Sequence, residues 1–230
     1  AIADGVAIVG APQYHDETLN RPRVGAVYIF NKQTDGSWEQ VKKTLGEQRV
    51  DMFGYSVAIV ENLAIAGTGT FNRQLWDLRD PLVGEVTQLW GYTYIFERQP
   101  DDTWSDGTKQ VASDAAQTNN FGYSVAIADG VAVMGAIGVA TIPDDGSLSD
   151  YVWRSGIAYI FMPDGNGNWS EVGKLKENEP VRGNYFGKTV SIDRENIGIL
   201  SGNNSYIYEF PCPTIAPVTT TTPVTYESTR

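Results

Sequence analysis

The sequence predicts an all-β fold, a β-propeller segment of four-stranded antiparallel blades. Three observations predict it. The chain of 230 residues repeats itself at spacings of 65 to 68 residues. Each repeat is made of short β-branched and aromatic runs bounded by Gly, Asp, Asn or Pro, the pattern of strands. Glycine is abundant at 24 residues and aromatics reach 11%, while Ala/Leu/Glu/Lys-rich helical stretches are missing.

Four elements define the repeat. The first is Phe53-Gly54-Tyr55-Ser56-Val57-Ala58-Ile59, which returns as Phe121-Gly122-Tyr123-Ser124-Val125-Ala126-Ile127. It returns more loosely as Phe186-Gly187-Lys188-Thr189-Val190-Ser191-Ile192. The second is Val6-Ala7-Ile8-Val9-Gly10-Ala11, with copies at Leu63 to Gly67, Val131 to Ala136 and Ile197 to Gly202. The third is Gly25-Ala26-Val27-Tyr28-Ile29-Phe30, with copies at Gly91 to Phe96, Gly156 to Phe161 and Ser205 to Phe210. The fourth opens on a lone Trp: Trp38 to Leu45, Trp104 to Val111, Trp169 to Leu175.

Turn-rich pieces such as Thr34-Asp35-Gly36 and Asp164-Gly165-Asn166-Gly167 join the third element to the fourth and favour hairpins. Asp4-Gly5 and Asp129-Gly130 do the same between the first and second. The unit is therefore four sequential antiparallel strands, which is a propeller blade. One sheet cannot bury both of its faces, and stacking blades does so.

Strands are expected near 6–10, 25–30, 38–45, 53–60, 63–67, 91–97, 104–112, 121–128, 131–136, 156–162, 169–176, 186–193, 197–201 and 205–210. That is about three and a half blades, with the opening strand of the first copy and the closing strand of the last copy wanting. The reading is a segment of a larger propeller over residues 1–210. A Thr/Pro-rich linker or tail follows over 211–230, a composition that builds no core. Ala1 to Gly5 carries neither a basic region nor an apolar signal core and reads as the middle of a repeat.

The Phe-Gly opening and the Gly10-Ala11-Pro12 closing resemble the FG-GAP repeat of integrin α-subunit N-terminal propellers. The Tyr-Ile-Phe and Trp elements fit it as well, over residues 1 to about 210. The resemblance implies a propeller of about seven blades, an extracellular or cell-surface setting and a role in adhesion. It also implies calcium loops between first and second strands. Here those links are Val60-Glu61-Asn62, Ala128-Asp129-Gly130 and Asp193 to Asn196. They are too short to supply the six to eight oxygens calcium takes, so no cofactor is expected. The one Asp-rich alternative is Asp144, Asp145 and Asp150, where a weak calcium site and a solvated turn are both open readings.

Composition narrows the chemistry. Seventeen Lys and Arg against 28 Asp and Glu give a formal charge of −11, which repels phosphate backbones and excludes general nucleic-acid binding. The longest nearly apolar run, Val131 to Ile142, falls short of the roughly 20 residues that cross a bilayer. His15 is the single histidine and has no nucleophile motif beside it, so no catalytic residue is nominated. Cys212 is the single cysteine, open to a free thiol or a bond to a partner.

What varies between copies is the link between second and third strands, long at 12–24, 68–90 and 137–155. It collects Tyr14, His15, Trp76, Arg79, Tyr151, Trp153 and Arg154. Equivalent loops of stacked repeats emerge on one face, and Tyr, Trp and Arg dominate interface hot spots. The expected function is non-enzymatic binding of a protein partner through this face, for adhesion or extracellular assembly. A carbohydrate-binding propeller, with Trp76 or Trp153 stacked on sugar rings, is the alternative. A hydrolase or lyase on this scaffold has no positive sign. Sequons at Asn168 and Asn203 agree with secretion.

Overall fold

The computed structural model describes residues 1–69, 91–115, 119–140, 152, 154–165, 167–209 and 224–225. Among these residues there is no helix. Sixteen strands form four sheets, each in sequence order. Sheet 1 holds β1 (Ile2–Ala3), β2 (Val6–Ala11), β3 (Ala26–Lys32) and β4 (Trp38–Leu45). Sheet 2 holds β5 (Ser56–Val60), β6 (Leu63–Gly67), β7 (Thr93–Glu97) and β8 (Thr108–Gln110). Sheet 3 holds β9 (Phe121–Ala128), β10 (Val131–Ala136), β11 (Ile157–Pro163) and β12 (Trp169–Leu175). Sheet 4 holds β13 (Thr189–Ile192), β14 (Asn196–Ser201), β15 (Asn204–Glu209) and β16 (Val224–Thr225). The neighbours run antiparallel.

The four-stranded repeat is therefore as expected, with two differences at its ends. Ile2–Ala3 pairs with Ala7 and Val6, so the first sheet has a short opening strand. Val224–Thr225 pairs with Ile207 and Tyr206, so residues beyond 211 supply a fourth strand to the last sheet. The largest shortfall in length is at the strand expected over 104–112, found as Thr108–Gln110. Trp104 makes an isolated bridge with Arg98, and the ladder resumes only at Thr108. Between them Gly107 sits at φ +86° under the Phe96 ring, which breaks the pairing.

The molecule divides into two compact units, Ala1–Tyr123 and Ser124–Arg230. In the first, Val6, Ile8, Val27 and Ile29 of sheet 1 pack on Ala64, Ala66, Phe96 and Trp104 of sheet 2, with Phe53 and Tyr92 between them. In the second, Val131, Val133, Ala158 and Ile160 of sheet 3 pack on Val190, Ile197, Ile199 and Tyr208 of sheet 4, with Phe186 between them. The alternation of strand residues thus places one apolar set on each face.

The Phe-Gly motif joins one sheet to the next. Phe53, Phe121 and Phe186 are fully buried. Each makes a parallel bridge to the glycine that opens the third strand of the preceding copy: Gly25, Gly91 and Gly156. The partner glycine of the motif, Gly54, sits at φ +82° with its carbonyl against Gly10, where a Cβ would collide with it. The same approach recurs between Gly122 and Gly67, and between Gly187 and Gly135. Ser56 and Ser124 each donate 2.7 Å hydrogen bonds to the carbonyls of Gly122 and Gly187. Glycine is required here by the close approach of two backbones, which is why the motif is legible as letters.

Candidate functional site: a braced rim of loops

Within each unit two kinds of connection meet and are bonded together. One is the link between second and third strands, such as 12–25. The other is the passage from a fourth strand to the next Phe-Gly, such as 46–52. They are pinned together by backbone bonds: Val50 N–H to Pro22 carbonyl at 3.0 Å, Met52 N–H to Arg23 carbonyl at 3.0 Å, and Gly69 N–H to Asp51 carbonyl at 3.3 Å. In the second unit Tyr185 N–H donates to the Arg154 carbonyl at 3.1 Å.

Side chains brace the same rim. Arg21 donates from Nη2 to Asp16 Oδ2 at 2.7 Å and from Nε at 3.1 Å. Its Nη1 reaches the carbonyls of Gly46 and Glu47 at 3.2 and 2.9 Å. The Arg21 hydrogen bonds hold the Asp16 carboxyl below its ordinary range. One guanidinium thereby ties the 12–25 loop to the 46–52 link.

Beneath lies Asp51, which is buried. Its Oδ2 accepts from the Tyr92 hydroxyl at 2.6 Å, from Gln48 N–H at 2.7 Å and from Glu47 N–H at 3.0 Å. Burial pushes this carboxyl up to about 6 and pushes the Tyr92 hydroxyl upward as well. The neighbouring Glu47 accepts from Tyr94 at 2.9 Å and pairs with Lys109 at 2.6 Å. Burial also drives Tyr94 up to about 12. In the second unit Glu177 is buried and accepts from Ser201 Oγ at 2.6 Å, Tyr206 at 3.0 Å and Asn184 Nδ2 at 3.2 Å. These groups hold the loops.

The expected site residues fall into three sets. His15 is exposed in a loop of the first unit and Arg154 in a loop of the second, where it sits at φ +58°. Tyr14 is half-buried, with Lys43 Nζ donating to its hydroxyl at 2.9 Å and lying 4.2 Å from its ring centroid. The hydrogen bond to Tyr14 raises the Lys43 ammonium. Trp76, Arg79, Tyr151 and Trp153 lie outside the described residues, as do Asp144, Asp145, Asp150 and Cys212. Among the described residues no three His, Cys, Asp or Glu side chains gather as a metal would need.

One rim feature escaped the sequence reading. Tyr55 and Tyr123, each following a Phe-Gly pair, lie with ring centroids 5.0 Å apart and hydroxyls 3.2 Å apart. Tyr55 is 39% exposed. Burial moves the Tyr123 hydroxyl up to about 12. Their identical position in two copies of the first element is the available signal. The sequons are accessible: Asn168 is exposed in the hairpin after β11 and Asn203 in the turn after β14.

Comparison with known proteins agrees with this architecture. Residues 104–161 match the model of the FG-GAP repeat. The chain is also similar to integrin alpha-6 of Gallus gallus, at 32% identity over 120 residues. The match takes in 52% of this chain and 10% of that protein.

Proposed function

We propose that this chain, similar over residues 104–161 to the FG-GAP repeat and over 120 residues to integrin alpha-6, is a non-enzymatic module for extracellular adhesion or assembly whose loops take a protein partner. The observation that carries this reading is the rim itself. In the first unit a part-buried ion pair and a buried hydrogen bond fix the loops and leave His15 and Tyr55 exposed; in the second, buried hydrogen bonds to Glu177 do the same beside the exposed Arg154. Recognition residues on rigidly held loops bind without a large ordering cost. The exposed sequons and the Thr/Pro tract support a cell-surface or secreted location.

The test is adhesion of beads carrying the immobilised chain to matrix-coated plates. Replacing His15 and Tyr55 of the first unit by Ala together is expected to cut adhesion at least about tenfold, since hot-spot losses are about 2 kcal/mol or more. The melting temperature should stay within a few degrees. Full adhesion by the double variant would defeat the rim reading. Binding to a glycan array that disappears with Trp153→Ala would favour the carbohydrate-binding alternative instead.

A further inference from the structure

Tyr55 and Tyr123 stand at one position of two repeat copies and meet through their hydroxyls. Tyr55 Oη donates to Tyr123 Oη at 3.2 Å, the ring centroids lie 5.0 Å apart, and the planes cross at 42°. The oxygens are closer than the centroids, so the rings lean together at their phenolic ends. The Cε carbons, ortho to each oxygen, flank that contact. The pairs Tyr92–Tyr94 and Tyr206–Tyr208 are arranged differently. Their centroids stand 5.8 and 6.5 Å apart, and their hydroxyls go to Asp51, Glu47, Glu177 and the Lys176 carbonyl.

The backbone holds both rings in place. Each follows a Phe-Gly pair whose Phe is fully buried and whose Gly closes on a neighbouring backbone. Ser56, next to Tyr55, donates its hydroxyl at 2.7 Å to the carbonyl of Gly122, next to Tyr123. Tyr55 N–H donates to the Met52 carbonyl at 3.1 Å, and Tyr123 N–H to that of Asn120 at 3.2 Å. Gly69 lies so close to the Tyr55 ring that a Cβ there would collide with it. Tyr55 is 39% exposed, so solvent reaches the pair from its side. The third copy carries Lys188 in this place, which confines the pair to the first two.

We propose that Tyr55 and Tyr123 are a modification site, where a peroxidase and hydrogen peroxide join them by a carbon–carbon bond between their Cε atoms into an internal dityrosine. Each phenol gives up one electron and its proton and becomes a phenoxyl radical with unpaired spin at Cε. The two Cε radicals pair to form the bond. Each Cε hydrogen then passes by way of solvent to the oxygen beside it, restoring both aromatic rings and both hydroxyls. The chain has lost two electrons and two protons, and hydrogen peroxide takes them up to become two waters. A carbon–carbon bond of about 1.5 Å sets the centroids of the product about 4.3 Å apart, a short approach from the 5.0 Å found here. The hydroxyls flanking the new bond keep its rings twisted, as these rings already are. Holding the partners together beforehand favours coupling within the chain over coupling between chains. Cys212 is the single cysteine, so no disulfide can form within the chain, and dityrosine is the cross-link that oxidation offers it. The rim reading also uses Tyr55, but the bond is read inside one chain, so either proposal can fail while the other stands.

The test treats the 230-residue chain, dilute enough to stay monomeric, with a haem peroxidase and hydrogen peroxide. Dityrosine fluorescence is expected in the monomer fraction, whose mass falls by two hydrogen atoms. A tryptic map should join peptide 50–73 to peptide 110–154, with fragmentation placing the bond at Tyr55 and Tyr123. Tyr55→Phe and Tyr123→Phe should each cut the monomer's fluorescence about tenfold or more, while Tyr151→Phe, in the same peptide as Tyr123, leaves it unchanged. The cross-linked monomer should melt above the untreated chain, because the bond removes loop-closure entropy from the unfolded state as a disulfide does. A monomer that keeps all its hydrogens, dityrosine confined to dimers, or a bond mapped to other tyrosines would each overturn the proposal. So would fluorescence that survives either Phe variant, or a cross-linked monomer that melts below the parent. The map is read on the parent chain, so it decides the matter even where a Phe variant fails to fold.

Discussion

The two units solve one packing problem with the same pair of residues and bury it differently. Glu47 and Glu177 each lie two residues past the Leu that ends a Trp strand. Tyr94 and Tyr206 occupy the same place in the third strand of the next sheet, and each donates its hydroxyl to its glutamate. In the first unit Glu47 stays exposed, and Asp51 takes the interior, held by Tyr92. In the second unit Glu177 itself turns inward to Ser201 and Asn184. The neighbours decide. Tyr92 fills the space under the first rim and its buried hydroxyl demands an acceptor, whereas the equivalent residue in sheet 4 is Asn204. Sequence equivalence therefore fixes the contact, and the volume of adjacent side chains fixes its burial.

The largest expected effect comes from breaking the buried member. Glu177→Ala would leave the Ser201 hydroxyl, the Tyr206 hydroxyl and the Asn184 amide without their shared acceptor. Each buried donor left unsatisfied costs about 1–3 kcal/mol, so the loss of a shared acceptor for three donors is read as a large fall in the urea midpoint. Glu47→Ala should cost far less. Equal losses at the two positions would show that burial does not distinguish them.

Next in size is Asp51→Ala, expected at about 2–3 kcal/mol because two backbone N–H groups and the Tyr92 hydroxyl lose one oxygen. Asp51→Asn behaves differently. All three donors converge on Oδ2, so the amide oxygen of Asn takes their place and the neutral group suits the interior. At neutral pH the Asn variant should melt at or above the parent. A loss as large as that of Asp51→Ala would mean that the negative charge itself is required.

The pH profile sharpens the same contrast. The folded-state carboxyl of Asp51 titrates near 6 against an ordinary 3.8, so the fold favours its protonated form. The stabilisation is whole below pH 3.8 and is lost as pH rises through about 6. That two-unit displacement is worth on the order of 3 kcal/mol. Parent minus Asp51→Asn stability should fall across pH 4 to 7 and then level off. A flat difference would place Asp51 in a more solvated setting than its burial indicates.

How much of this was legible beforehand follows from which constraints leave letters behind. The blade contacts did. Gly10, Gly54, Gly25 and Phe53 sit where two backbones touch, so no other residue types fit, and the copies match. Asp51 and Glu177 left no such mark. A buried carboxylate and a turn carboxylate are the same letter, and the link 46–52 read as polar connection. The short strands β1 and β16 were missed because two residues carry no period.

The smallest expected effect tests whether the exposed member of the comparison matters at all. Glu47 pairs with Lys109 at 2.6 Å, and Lys109 Nζ also lies 4.6 Å from the Tyr92 ring centroid. Both charged groups are partly solvated, where ion pairs contribute about 0–1 kcal/mol and are screened by salt. A double-mutant cycle of Glu47→Gln and Lys109→Met should give a coupling below about 1 kcal/mol that shrinks in 0.5 M sodium chloride. The cation–ring contact depends on Lys109 alone, so Lys109→Met should cost slightly more than Glu47→Gln. A coupling above about 2 kcal/mol, unmoved by salt, would make Glu47 a buried partner like Glu177. The two rims would then be held by one design, with no difference left to explain.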